Sequence, residues 1–144
     1  MNSRLINIVC LILLASILLC WGIFLPYVKA WEVGTLEFLA RNHLSYGFHI
    51  TKGVPIVNFI DGKPNYYTTH PPLVPLLLML SFKLFGVHEW NARCVPIVFS
   101  LIALLFFYLL IEYICDKKTA LLAGTFMAFM PMFSYYGRIV NYES

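Results

Sequence analysis

Charge is absent from residues 5–28, 71–82 and 119–137 and appears once, as Glu112, within 94–115. Between the first and second of these apolar runs lies an interval, 29–70, of polar, charged and aromatic residues. At about 1.5 Å per helical residue, the 24 positions of the first run exceed a bilayer core of roughly 30 Å. The run is too long for the apolar part of a signal peptide and no small-x-small cleavage pattern follows it, which predicts a retained transmembrane helix over 5–28. Trp21, Tyr27 and Trp31 suit the interface at its far end.

Within the interval, Val33, Leu36, Ala40 and Leu44 recur at helical spacing, Glu37 and Arg41 sit four apart, and Gly47 follows as a stop. This predicts a helix over 31–46 lying along the membrane interface. Residues 54–67 read as extended, with Asp61-Gly62-Lys63-Pro64 as a turn that closes a short hairpin. The twelve apolar residues of 71–82 are short for a crossing, so 71–87 is expected to be a juxtamembrane or re-entrant helix. Transmembrane helices are expected over 94–115 and 119–137, the second kinked by Pro131.

Positive residues orient the chain. Arg4 places the N-terminus in the cytoplasm, and Lys117-Lys118 belong there too if 71–87 does not cross. The 29–70 loop and the terminal GRIVNYES then share the outer face. Were 71–87 to cross, the two lysines would fall outside.

Composition agrees with a membrane protein. Hydrophobic residues make up 60% of the 144, charged ones 12%, and the net charge is +3; a soluble domain carries about 25% charged residues. The basic residues are scattered, with no stripe of the kind that binds nucleic acid, which excludes that class. Cys10, Cys20, Cys94 and Cys115 form neither a disulfide framework nor a CxxC pair and read as buried spectator thiols.

Four short motifs follow in order: W-E-x(7)-ARN-H-L-x-Y-G from Trp31, THPPL from Thr69, LFG-x-x-E-x-x-x-R from Leu84, and P-x-x-x-Y-Y-G-R-x-x-x-x-E from Pro131. Together they resemble the opening of the GT-C membrane glycosyltransferases, nearest the protein O-mannosyltransferase and aminoarabinose-transferase group, glycosyltransferase families 39 and 83. The resemblance implies an all-α polytopic membrane protein of GT-C type, with a long outer-face loop carrying juxtamembrane helices. It makes residues 1–144 the N-terminal part of a larger membrane domain. It also implies transfer of a sugar from a polyprenyl phosphate to a hydroxyl acceptor, protein or lipid, outside the membrane. That membrane is the plasma membrane in a prokaryote or the endoplasmic reticulum in a eukaryote.

Counting back from Ala40-Arg41 aligns Glu32 with the first residue of the group's acidic pair, as catalytic base; Val33 stands where the second acid is usual. Glu143, five residues beyond Arg138, aligns with the second catalytic acid. His70 is a substrate or metal contact by the same alignment, and Arg93 and Arg138 are cations for the lipid phosphate. Each has a plainer reading: Glu32 as an anion at a helix N-terminus, Glu143 as half of a solvated charge pair, His70 as a helix cap, and the arginines as snorkelling side chains. His43, His49 and His88 show no ligand spacing and read as interfacial. A divalent metal on Glu32, Glu143 and His70 stays open, since some GT-C enzymes use one and others none. The rival functions are a non-catalytic membrane assembly or binding subunit and an inactive remnant of the enzyme.

Overall fold

A computed structural model describes the backbone of residues 3–21, 23–24 and 31–140, and side chains over 4–21, 23–24 and 35–140. In order the elements are α1 (Ser3–Cys20), α2 (Trp31–Thr51), β1 (Ile56–Ile60), β2 (Lys63–Tyr66), α3 (Leu73–Phe85), α4 (Glu89–Ile114), α5 (Lys117–Phe129) and α6 (Pro131–Tyr136). Among the described residues the protein is mostly helical, with one two-stranded antiparallel sheet as the departure from an all-α reading. It divides into two compact units, Met1–Ile23 with Pro96–Ile139, and Phe24–Val95 with Val140–Ser144. The division falls inside α4 at Pro96, whose ring removes one helical hydrogen bond.

In the first unit α1, α4 and α5 share a core of Leu11, Ala15, Leu104, Tyr108, Ala120 and Ala128. Arg4 Nε lies 2.9 Å from Glu112 Oε2, joining the start of α1 to the end of α4. At the other end Ser100 Oγ donates to the Gly137 carbonyl at 3.1 Å and Arg138 Nη1 to the Trp21 carbonyl at 2.6 Å. The helices therefore run α1 one way, α4 back, and α5 the first way again. Asp116 starts α5 by accepting from Lys118 N at 3.0 Å and from the Thr119 hydroxyl, and these bonds hold its carboxyl below the ordinary carboxylate range. The expected 119–137 helix is in fact two. Met130, forced to φ −63°, ψ 123° by the following proline, separates α5 from α6.

In the second unit α2 packs on α3. The buried positions of this unit include Leu36, Leu39, Ala40 and His43 on α2, Pro75, Leu78 and Phe82 on α3, and Ile56 on β1. Helical geometry in α2 breaks at Gly47, with φ 74° and ψ 164°, so the expected stop interrupts a helix that resumes as far as Thr51. Asp61 and Gly62, both at positive φ, form a two-residue hairpin turn, and Ile60 pairs with Lys63. Lys63 and Pro64, expected in the turn, thus open β2.

Other boundaries also differ from expectation. α1 as described runs to Cys20, and residues 25–28 of the expected span lie outside the described residues. α3 is Leu73–Phe85 rather than 71–87, since two prolines precede it and Gly86 ends it at φ 88°. α4 starts at Glu89, five residues before the apolar run, because an acidic first turn suits the helix dipole. Among the described residues α4 is the one helix long and apolar enough to cross a membrane; α1 and α3 are shorter apolar helices. Cys10, Cys20 and Cys115, expected to be buried, are exposed free thiols on outward faces.

Candidate active site

The interval after α1 is built around α2, whose buried stripe includes a polar member. His43 falls on the face of Leu36, Leu39 and Ala40 and is 1% exposed, so it is a core residue and not the interfacial side chain expected. Its Nε2 lies 3.3 Å from Thr51 Oγ1, which also donates to the Gly47 carbonyl at 3.0 Å, and Phe48 meets the ring edge-on. Burial disfavours the imidazolium and lowers its pKa. The helical spacing 36, 39, 40, 43 carried this signal, hidden because histidine counts as polar.

Asn42 was also not foreseen as a functional residue. Its Nδ2 donates to the carbonyls of Ile56 at 2.9 Å and Val57 at 3.0 Å. The register shifts between Ile56 and Asn58, and the Asn42 amide supplies a donor to the carbonyls at that irregularity. This ties the hairpin to α2, helped by Tyr66 Oη donating to the Ile50 carbonyl at 3.3 Å. No pattern along the chain pairs Asn42 with a strand fourteen positions on.

The hairpin delivers the THPPL segment. Tyr67 N donates to the Pro55 carbonyl at 2.8 Å, closing the base of the hairpin. Three residues later His70, exposed, sets Nδ1 2.9 Å from the Tyr67 hydroxyl with the ring planes 19° apart. Pro71 and Pro72 follow directly, and α3 begins at Leu73. Beyond α3, Asn91 Nδ2 donates to the Gly86 carbonyl at 2.6 Å and Ser81 Oγ to the Asn91 carbonyl at 3.2 Å, fixing the turn into α4. Arg93 sits on the first turns of α4 and is buried, at 7% exposure.

His70 and Arg93 therefore belong to the same unit, whereas Arg138 lies in the other and serves there as a cap on the Trp21 carbonyl. One of its five N–H groups is used in that bond. Glu37 is buried and pairs with Arg41 at 3.7 Å, as their i, i+4 spacing predicts. The side chain of Glu32 and all of Glu143 lie outside the described residues. Glu32 is the second residue of α2, and Val140, buried at 1% exposure, belongs to the same unit as α2. Among the described residues no group of three or more His, Cys, Asp or Glu side chains could hold a metal ion. Of the candidate metal ligands, only His70 has its side chain among the described residues.

Comparison with protein families finds the dolichyl-phosphate-mannose-protein mannosyltransferase profile over residues 69–144, just over half of the chain. That match takes in His70, Arg93, Arg138 and Glu143, and leaves Glu32 outside. No curated protein and no solved structure matches the chain.

Proposed function

Because the chain belongs to the dolichyl-phosphate-mannose-protein mannosyltransferase family, we propose that it carries part of the active site of a multi-pass membrane glycosyltransferase. The reaction moves a sugar from a polyprenyl-phosphate donor to a hydroxyl of a protein or lipid acceptor on the outer face. The family match over residues 69–144 carries this reading, and four of the five candidate residues fall within that range.

The chemistry assigns each residue a task. The Glu32 carboxylate takes the proton of the acceptor hydroxyl as its oxygen bonds to the anomeric carbon. The bond from that carbon to the phosphate oxygen breaks, and the polyprenyl phosphate leaves with the electron pair. A single displacement inverts the anomeric centre. His70 and Arg93 contact the phosphate where negative charge grows, with Arg138 as a further candidate cation. Glu143 orients the acceptor. That α2, THPPL, Arg93 and Val140 all belong to one compact unit supports a shared site for these groups.

The direction of the helices supports the side assigned to this site. In the first unit, Trp21 and Ser100 lie at the same end. Taking α1 and α4 as spans, this direction supports reading α3 as a juxtamembrane or re-entrant helix rather than a crossing. Its 13 residues reach only about 20 Å, short of a bilayer core.

Glu32→Gln tests the base. In the intact enzyme it is expected to cut sugar transfer by about 10²- to 10⁴-fold while donor binding survives. Wild-type transfer by this variant would remove Glu32 from the mechanism.

A further inference from the structure

We infer that Tyr67 is a positioning residue for His70, selecting the imidazole tautomer that donates from Nε2 to an anionic oxygen of the sugar donor. The inference rests on the reading of His70 as a phosphate contact and names what makes that contact specific.

An exposed histidine ordinarily exchanges between two neutral tautomers and several rotamers, and only one combination aims an N–H at a given oxygen. Here both freedoms are restricted. The Tyr67 hydroxyl is 2.9 Å from Nδ1, and the two ring planes differ by 19° with centroids 6.0 Å apart. A phenolic O–H is a better donor than a neutral imidazole N–H, and an imidazole nitrogen is the better acceptor, so the hydroxyl donates and Nδ1 accepts. The proton of neutral His70 then belongs on Nε2. That is the form in which a histidine hydrogen-bonds a phosphate oxygen without itself being charged.

Tyr67 can act this way because it is fixed. Its amide is bonded to the Pro55 carbonyl at 2.8 Å, and its neighbour Tyr66 pairs with Ile56 across the hairpin. On the other side of His70, the rings of Pro71 and Pro72 restrict the backbone before α3 begins at Leu73. The imidazole is thus held between a hairpin base and a helix start, and the Tyr67 hydroxyl bears directly on its rotamer and tautomer. The arrangement also tolerates protonation, because the hydroxyl can turn and accept from Nδ1–H.

The test is a double-mutant cycle with a spectroscopic arm on the intact enzyme. Tyr67→Phe keeps the ring and the backbone anchor and removes only the hydroxyl; it should lower kcat/KM for the lipid donor by about three- to tenfold and leave thermal unfolding unchanged. His70→Ala should lose more, and Tyr67→Phe/His70→Ala should lose no more than His70→Ala alone. Nitrogen-15 spectra should show neutral His70 protonated at Nε2 in the parent and a mixture of tautomers in Tyr67→Phe. Losses that add in the double variant, or an Nδ1-protonated parent, overturn the inference; so does Tyr67→Phe with parental kcat/KM beside an impaired His70→Ala. Parental activity in His70→Ala instead overturns the phosphate-contact reading, and the nitrogen spectra still decide whether Tyr67 sets the tautomer.

Discussion

His43 is held neutral by its surroundings, and the consequence is a pH dependence of known sign. Its pKa in the folded protein lies below the ordinary value of 6.5 because the charged ring would lose its hydration. As pH falls through about 6.5 the unfolded chain binds the proton first, so stability is complete above that value and is lost as pH decreases toward the lowered folded value. We expect thermal unfolding, followed by circular dichroism in detergent, to shift downward between about pH 7.5 and about pH 5.5. His43→Gln should flatten that part of the profile, because it can still face Thr51 but does not titrate. An unchanged slope in the variant would mean that other groups set the profile. Asn42 acts beside it on a different axis, joining α2 to the hairpin that presents Tyr67 and His70, whatever the pH.

At the scale of elements, α5 lies against α1 through Ala120, Gly124 and Ala128, one residue per turn along one face. Small residues let helix backbones approach closely where lipid removes the hydrophobic drive for association. A Cβ built at Gly124 would sit 2.7 Å from Cδ2 of Leu11, a side chain only 2% exposed and so with little room to turn away from the larger valine. Gly124→Val is therefore expected to destabilise the α1–α5 packing by about 1–3 kcal/mol, read as a lowered midpoint of thermal unfolding in detergent. Leu11→Ala in the same chain should recover part of that loss. Failure of the second substitution to recover any would place the strain elsewhere. The break at Met130–Pro131 is the other decision made at this scale: it divides an apolar run of spanning length into α5 and the short α6, which ends at Tyr136, just ahead of Arg138.

For the molecule as a whole, the first unit has two chemically distinct ends. Arg4, Glu112 and the turn with Lys117 and Lys118 belong to one; Trp21, Gly137 and Arg138 belong to the other. The proposed orientation follows the positive-inside rule, with the lysine end in the cytoplasm and the interval that carries the proposed site expected outside. Single cysteines in a chain whose four native cysteines are replaced test this arrangement. Lys63→Cys on the hairpin should react with an impermeant maleimide on intact cells, and Lys117→Cys only after permeabilisation. Equal labelling of the two before permeabilisation would overturn the arrangement, and with it an outward site.

By itself the sequence determined the apolar runs, a hairpin turning near Asp61-Gly62 though not its two-residue extent, the Glu37–Arg41 pair, a break at Gly47 though not the resumed helix, and the family. Each of these is written in neighbouring residues or in a fixed spacing, where local geometry leaves few alternatives. It did not determine that His43 is core, that Asn42 serves a strand, that Arg4 meets Glu112, or that Tyr67 holds His70 from a hairpin anchored at Pro55. Those pairings were decided by tertiary packing. A buried polar group must find a partner within hydrogen-bond reach, and which groups come within reach depends on how helices and hairpin stack, not on their order along the chain.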